Sequence, residues 1–314
     1  MRPLLRPGVH VLDRGDGHIQ VGLDPARALV LPDHPAVRAL LDGLDGSAKP
    51  QDDAVLTLLA SESLVLDEQA VLPLLGKDKS PGAPQVTAAL ARHLGGAAIQ
   101  AARRRRDTRL QLIGFGPASG ALDAAGADGA AGADGADGAD LITALAMLAG
   151  RVGLKTRTTS AADVVSADTV GVGVLAGIGE PDRELADPWT QAGTPYVVVR
   201  ITEGRAVVGP FVVPGQTACL RCIDAHHTDA DRAWPLLLRQ YSRATTQDRA
   251  DGLTEPVDPT LAMLAVAWAT RDLASHADGV RPSTWSTTVS LDAQLGDVES
   301  RCWLRHPECG CCWR

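Results

Sequence analysis

Two pairs of cysteines constrain the fold of this 314-residue chain more than any other feature of its sequence. Cys219 and Cys222 form one CxxC pair, and Cys309 and Cys312 form another near the end of the sequence. Four thiolates from two such pairs can surround one tetrahedral Zn²⁺, and a site with four sulfur ligands leaves no open position for catalysis. The sequence therefore predicts a structural metal that holds the C-terminal tail against the middle of the chain.

A second ligand set competes with this one, because Cys309 and Cys311 form a CxC pair. Gly310 would allow the tight turn that either set requires. Ordinary thiols together with a redox-active CxxC pair would explain the same residues without a metal. The remaining cysteine, Cys302, stands alone and is interpreted as a small core residue.

The charge balance excludes several kinds of partner. Lys and Arg number 30 against 38 Asp and Glu, which gives a net charge of −8 and a pI near 5.5. Such an acidic chain is a poor candidate for binding nucleic acid or anionic membranes. Its apolar runs are shorter than the roughly 18 residues that a membrane span needs. A cytoplasmic protein is expected, and in that compartment disulfides are not the default use of cysteine.

Residues 1–76 are expected to form a small separate module. Asp16 and Gly17 separate two short alternating runs, which is the signature of a hairpin. Two helical patterns and a second hairpin follow. A small ribbon with two or three helices is typical of a winged helix, although an ordinary α+β module without a partner has the same pattern. The predicted elements are strands 9–12 and 19–22, helices 35–44 and 52–61, and strands 64–66 and 70–72.

A polar stretch rich in proline and glycine, residues 77–84, marks the predicted domain boundary. Helical and strand-like runs alternate over residues 85–314, which predicts an α/β domain. Its first helix, over 86–102 and interrupted at Gly95 and Gly96, leads into four arginines at 103–106. We interpret these arginines as a solvated helix end, with a docking patch for an acidic peptide or nucleotide as the alternative. The other predicted elements are strands 109–113, 154–158, 169–175, 196–201 and 205–208, and helices 141–148, 235–241 and 259–276.

The turn after the first strand of this domain is where a dinucleotide fold would place a glycine-rich loop. Gly114 and Gly116 occupy two of its positions and are the candidate cofactor-binding residues. The loop is degenerate, because Ser119 holds the third glycine position and Pro117 lacks a backbone N–H that could face a phosphate. A structural turn that keeps the shape of such a loop is the favoured interpretation.

Two further features are interpreted as non-catalytic. Residues 124–140 repeat Gly, Ala and Asp with almost no apolar bulk, which predicts a flexible loop; the pattern lacks the glycine pairs of calcium-binding repeats. His226 and His227, with Asp224 and Asp229 nearby, could form an acid–base cluster. Because they follow the first cysteine pair, we favour roles beside the metal or at the surface.

One segment carries a family resemblance. The sequence from Val207 to Cys222, its continuation through His227 to Pro235, and the segment from His306 to Cys311 resemble the ThiF-like domain related to ubiquitin-activating enzymes. Within that superfamily the chain looks most like the leader-peptide-binding cyclodehydratase subunits of azole- and azoline-containing peptide pathways. Its first residues, Pro7 to Leu12 and Gly22 to Pro25, resemble their precursor-peptide recognition element.

The resemblance implies a Rossmann-like adenylation-type domain, a Cys₄ zinc clasp, and a winged-helix-like module that takes up an extended leader peptide as an added strand. Active relatives adenylate a carboxylate with ATP and Mg²⁺. This sequence departs from them at the glycine loop and has no acidic residue in the ribose position, so we carry over no catalytic residue and expect no ATP or Mg²⁺. Cys302 is not favoured as a thioester nucleophile, because no base lies near it in the sequence.

These observations lead us to expect a non-catalytic scaffold in ribosomal peptide natural-product biosynthesis. It would bind a precursor or leader peptide and present it to a modifying enzyme of the YcaO type. Two alternatives stay open, an ATP-dependent adenylyltransferase and a stand-alone structural or regulatory zinc protein. A homodimer is also considered, because relatives of this fold pair through the adenylation domain.

Overall fold

The computed structural model describes residues 2–47, 54–74, 83–116, 138–159, 171–245 and 255–311. The chain divides into two compact units, residues 1–104 and 105–314. Most of the joint predicted at 77–84 lies outside the described residues, so a boundary at that place stays a prediction. Within the described part, no helix combines the length and the apolar character that crossing a membrane would require.

Two small antiparallel sheets open the first unit. β1 (Pro3–Leu5) pairs with β5 (Val65–Asp67). β2 (Val11–Asp13), β3 (His18–Val21) and β4 (Leu29–Pro32) form a three-stranded sheet with β3 in the centre. The pairing of β2 with β3 confirms the first predicted hairpin.

Two helices pack on this sheet, and both lie where the sequence predicts helices. They are α1 (Pro35–Asp42) and α2 (Ala54–Ser61). Ile19 and Val21 of β3 are fully buried in the same core, because alternate residues of a strand point to one face. His34 caps α1 by accepting the backbone N–H of Ala36.

The second predicted hairpin is wrong. Residues 65–67 do form a strand, but its partner is β1 at the start of the chain. The chain then turns at once, because the Asp67 side chain accepts the backbone N–H of Gln69 and starts a 3-10 turn. The alternating pattern identified the strand and could not identify a partner so distant in sequence.

The helix predicted over 86–102 is present and is broken where the sequence predicted a break. α3 (Ala83–Leu94) and α4 (Ala98–Asp107) flank Gly95, whose positive φ of 53° suits glycine. Ala91 and Ala98 are fully buried members of a small apolar cluster. These small side chains allow close packing around the break.

The four arginines at the end of α4 are not equivalent. Arg105 is buried, and its guanidinium donates two hydrogen bonds to the carboxylate of Asp278, at 2.8 and 2.6 Å. Arg103, Arg104 and Arg106 are exposed. The interpretation as a solvated helix end is therefore wrong for Arg105, which holds a buried ion pair instead.

One mixed sheet of seven strands dominates the described part of the second unit, which confirms the α/β class. In spatial order its strands are β12 (Glu299–Cys302), β11 (Thr287–Leu291), β10 (Arg205–Val212), β9 (Tyr196–Thr202), β8 (Val172–Ile178), β6 (Arg109–Phe115) and β7 (Lys155–Thr158). The four neighbouring strands β9, β8, β6 and β7 are parallel, and the other pairs are antiparallel.

Two hydrophobic cores lie on opposite faces of the sheet, because successive side chains along each buried strand point to opposite faces. Val197 and Val199 of β9 point to one face of the sheet, where α5 (Gly138–Arg151) and α9 (Pro259–Asp278) pack. α9 begins where Asp258 accepts the N–H groups of the first helical turn, and it ends at a glycine with positive φ. Helices predicted at 141–148 and 259–276 are confirmed, and residues 124–137 of the predicted loop lie outside the described residues.

Tyr196 and Val198 of β9 point to the opposite face, where a second core includes α6 (Asp187–Ala192) and α7 (Leu220–Ala230). Trp189 of α6 is almost fully buried there, and its indole N–H donates to Gln111 of β6 at 2.9 Å. This second core also contains the cysteines, so the sheet forms the floor of the candidate site.

Candidate metal centre

The first cysteine pair lies at the start of α7. Pro214 and Gly215 turn the chain after β10, and the Thr217 hydroxyl fixes the turn by accepting the N–H of Val213 at 2.7 Å. The helix starts directly after Cys219, and Cys222 lies one turn further on. This spacing places both thiols on the same side of the helix.

Hydrogen bonds hold the C-terminal tail alongside α7. Trp303 follows β12, is buried, and donates its indole N–H to β11. His226 of α7 contacts the carbonyl oxygen of Leu304 through Nε2 at 2.9 Å. Two residues later, His306 Nε2 lies 2.9 Å from the carboxylate of Asp229. These contacts return the tail to the start of α7.

Four sulfur atoms meet at that point. The Sγ atoms of Cys219, Cys222, Cys309 and Cys311 all lie within 4.8 Å of one another. Cys222 and Cys311 are 3.4 Å apart, and Cys219 lies 3.5 Å from Cys309 and 3.8 Å from Cys222. These separations exceed the S–S bond length of about 2.05 Å. They match the roughly 3.8 Å between ligands of a tetrahedral ion with Zn–S bonds of about 2.3 Å. The cluster can therefore hold a metal ion.

Cys311 completes this cluster, as in the rival ligand set. Gly310, with a positive φ of 76°, makes the turn that brings Cys309 and Cys311 together. Cys312 lies outside the described residues, so its predicted role as a ligand stays a prediction. Cys302 is exposed on β12, and its interpretation as a core residue is wrong.

Close packing of the thiols shifts their proton affinities in opposite directions. The Cys219 thiol donates to Cys222, and this hydrogen bond lowers the pKa of Cys222 and raises the pKa of Cys219. Metal ions bind the thiolate form, so a bound ion would take the place of the shared protons. Arg221 supplies a nearby cation; its pKa is raised by its ion pair with Asp187 and, to a lesser extent, by Cys219.

The histidines considered for acid–base chemistry make structural contacts. His226 and Asp229 hold the tail, as described above. Asp224 accepts two hydrogen bonds from Arg183, at 2.8 and 2.9 Å. His227 stacks on the first residue of α8 (Trp234–Ala244), with 4.3 Å between the ring centroids. These contacts support structural roles for the four residues rather than acid–base chemistry.

A second cluster of ligand-type atoms, from His226, Asp229 and His306, also lies within 4.8 Å. The backbone N–H of Glu308 donates to Nδ1 of His306 at 3.2 Å. In the neutral ring the proton is therefore on Nε2, where it faces Asp229. That proton occupies the position that a metal would need, so we interpret this cluster as a hydrogen-bonded latch for the tail.

A crevice of about 510 Å³ opens at the carboxyl ends of β6 and β8. Open α/β sheets bind ligands at such places. Arg183 lines this crevice and donates to Asp224 and to Glu180, at 2.8 to 2.9 Å. Burial alone would lower the pKa of Arg183, but these hydrogen bonds and charges raise it. Glu180 also pairs with Arg200 at 2.7 Å, so this wall of the crevice is charge-balanced within the protein.

The described residues of the crevice offer mixed charges to a phosphate. A Cβ at Gly116, where φ is +106°, would lie 2.7 Å from the carbonyl oxygen of Ile178, so strand packing alone requires this glycine. Arg183 donates to carboxylates of the protein, and Asp182 and Glu184 would repel a phosphate, but Arg239 and Arg243 line the same crevice. The role of Gly114 and Gly116 in cofactor binding stays a prediction, because residues 117–120 lie outside the described part.

This ion-pair network is not predicted from the sequence. Arg183 and Asp224 are 41 residues apart, and no spacing rule connects them. The one available signal was the charged run from Glu180 to Glu184 directly after a buried strand. Polar residues at the carboxyl end of a parallel strand commonly line such a crevice.

No family model matches the sequence, and no curated protein sequence matches it. Solved structures match in fold. The structure of the heterocyclase TruD is 14% identical, with a TM-score of 0.64 over 99% of this chain and 42% of TruD. MccB of E. coli, solved with AMPCPP and MccA, is 13% identical, with a TM-score of 0.60 over 99% of each chain. This chain therefore spans about two fifths of TruD and nearly all of MccB.

The resemblance identified from the sequence is confirmed as a shared fold. The structural neighbours of the chain are the heterocyclase TruD and MccB, which is described as a microcin C7 biosynthetic enzyme. The match covers 99% of the chain and so includes both of its compact units.

Proposed function

We propose that this chain is a non-catalytic subunit in the biosynthesis of a ribosomally made, modified peptide. It binds the leader segment of a precursor peptide and presents that peptide to a separate modifying enzyme of the YcaO type. One observation carries the proposal: the fold match to a heterocyclase and to MccB extends over 99% of this chain, including the small N-terminal unit. The charge-balanced crevice supports placing the chemistry on a partner.

The three-stranded sheet of the first unit offers two edges to an extended peptide. The N–H of Arg14 bonds to His18 and the N–H of Gly22 bonds to His10, so Val11 on β2 directs its own N–H away from β3. On the other edge, the bond from Asp33 to Gly17 directs the N–H of Val30 on β4 outward. A peptide added as a strand would pair with one of these edges.

Isothermal titration of the full chain with leader peptides encoded beside its gene tests the proposal. Val11→Pro and Val30→Pro each remove one outward donor while leaving the internal ladder intact. We expect one of them to weaken binding about tenfold, and the matched variants Val11→Ala and Val30→Ala to bind nearly as the wild type does. Binding by no candidate peptide, or equal binding by all four variants, would contradict the proposal.

An adenylyltransferase is the second candidate, because Arg239 and Arg243 of α8 line the same crevice and MccB has been solved with ATP. ATP–pyrophosphate exchange in the presence of a bound precursor peptide separates the two. If the chain is a scaffold, the rate of ATP–pyrophosphate exchange should be no higher than in the absence of the protein. Exchange that depends on both the peptide and Mg²⁺ would favour the adenylyltransferase.

We also propose that the four-cysteine cluster holds a structural Zn²⁺. The sulfur separations and the all-thiolate ligand set favour this ion, and a four-sulfur site has no position left for a reacting group. When bound, the ion contributes binding energy to the folded state. Cys219 and Cys222 would hold it from α7, and Cys309 and Cys311 from the tail.

A further inference from the structure

One corner of the large sheet carries cations that the proposed function does not use. The N–H of Lys155 bonds to the carbonyl oxygen of Thr108 at 3.2 Å, which brings the start of β7 beside the start of β6. Arg109 then lies opposite Lys155 across the strand pair. α4 and α5 end within a few residues of the same corner. The exposed cations are Arg106, Arg109, Arg151, Lys155 and Arg157.

No carboxylate neutralises these cations within the described residues. None of the five forms an ion pair with another described residue, in contrast to Arg105, whose partner Asp278 is buried beside it. Among the described residues 106–109 and 151–157, which form this corner, Asp107 is the one acidic residue. An excess of positive charge at one corner of a chain whose net charge is −8 creates a local field that attracts anions.

The backbone at this corner is also open. β7 is the last strand of the sheet in the described part, and its residues are exposed. Lys155 and Thr159 direct their N–H groups to β6, so the alternation of a strand directs those of Thr156 and Thr158 outward. This edge therefore combines unpaired backbone groups with cationic side chains.

We propose that the β7 edge docks an extended acidic segment of a partner protein. The segment pairs with Thr156 and Thr158 as an added strand, and its carboxylates meet Arg109, Lys155 and Arg157. The same cations repel a second copy of this edge, which is how proteins keep edge strands from self-association. The inference stands on this corner alone and does not depend on leader-peptide binding.

Fluorescence anisotropy with a labelled peptide of alternating Glu and Thr tests this surface on the full chain. We expect binding that weakens steeply between about 50 and 300 mM NaCl, and no binding of the matched Lys–Thr peptide. The triple variant Arg109→Gln, Lys155→Gln, Arg157→Gln should bind at least about tenfold more weakly. The control triple variant Arg27→Gln, Arg232→Gln, Arg271→Gln neutralises exposed arginines elsewhere and should bind as the wild type does.

A backbone variant separates strand addition from simple charge attraction. Thr156→Pro removes an outward N–H without changing the charge and should weaken binding, whereas Thr156→Ala should not. Circular dichroism of each variant checks that the fold is kept. Failure of the wild type to bind the acidic peptide, or equal binding by the charge-neutralised triple variant, would overturn the proposal. If Thr156→Pro binds the acidic peptide as tightly as the wild type does, or if the wild type binds a DNA duplex more tightly than the peptide, strand addition is overturned. The corner would then be a nonspecific binding site for polyanions.

Discussion

Among single residues, the fourth metal ligand decides between the two ligand sets that the sequence offers, one with Cys311 and the other with Cys312. Cys311 lies 3.4 Å from Cys222, and Cys312 is outside the described residues. We expect Cys311→Ser to lose most of the bound zinc, because three thiolates hold the ion far less tightly than four. Elemental analysis of the purified variants measures this.

Cys312→Ser and Cys302→Ser serve as controls for that experiment. Cys302 is exposed on β12, away from the cluster, and its variant should keep about one zinc per chain. The same result is expected for Cys312→Ser. Zinc loss from Cys312→Ser with zinc retained in Cys311→Ser would restore the ligand set of two CxxC pairs.

The buried ion pair of Arg105 and Asp278 leads to a stability prediction. Their side chains are 6% and 1% exposed, so removing one partner leaves a charge without solvent or counter-charge. Arg105→Met should lower the free energy of unfolding by about 3 to 5 kcal/mol in urea denaturation. The exposed neighbour provides the control, since Arg106→Met should change it by less than about 0.5 kcal/mol. Equal effects of the two substitutions would contradict the burial of this pair.

At the scale of elements, the tail from Trp303 to Cys311 is the segment that the metal should control. Arg305 is already exposed to solvent, but chelation of the ion should release the tail from α7 and make its backbone mobile enough for trypsin to cleave after Arg305. Limited proteolysis with and without a chelator, followed by mass spectrometry, measures cleavage at this site. Cleavage at Arg14, in the hairpin of the first unit, should not change. Equal cleavage of the tail in both states would mean that hydrogen bonds alone hold it.

The sequence predicted elements better than it predicted their partners. Alternation and turn residues located the hairpin of β2 and β3 and five of the seven strands of the large sheet, because these signals are local, whereas β11 and β12 were not predicted. The partner of β5 was missed, since strand pairing between distant segments leaves no local trace. Arg105 was misjudged for the same reason: its partner Asp278 is 173 residues away.

The candidate site divides in the same way. Spacing within CxxC and CxC pairs indicated a metal centre, because ligand spacing on a helix start or a tight turn is a local property. The choice between Cys311 and Cys312 depends on how the tail returns to α7, which spacing alone does not determine. The ion-pair network of Arg183, Glu180 and Asp224 could not be predicted from spacing, because its members come together only when the chain after β8 packs beside α7.

In the whole molecule, we propose that the two compact units have different tasks. The first, residues 1–104, provides the sheet edges proposed to take up a leader peptide. The second, residues 105–314, provides the metal centre and a crevice whose central arginine is paired within the protein. A shared fold with TruD and MccB is compatible with either a scaffold or an enzyme, so the test must locate binding and chemistry separately.

Hydrogen exchange of the full chain, measured by mass spectrometry with a saturating leader peptide and then with ATP and Mg²⁺ added, separates peptide binding from nucleotide binding. We expect slower exchange in β2, β3 or β4 on adding the peptide, because new backbone hydrogen bonds protect edge amides. We expect no further change around residues 178–185 on adding the nucleotide. Protection of the crevice by ATP, or unchanged exchange of all three strands with the peptide, would contradict a scaffold that binds a leader peptide.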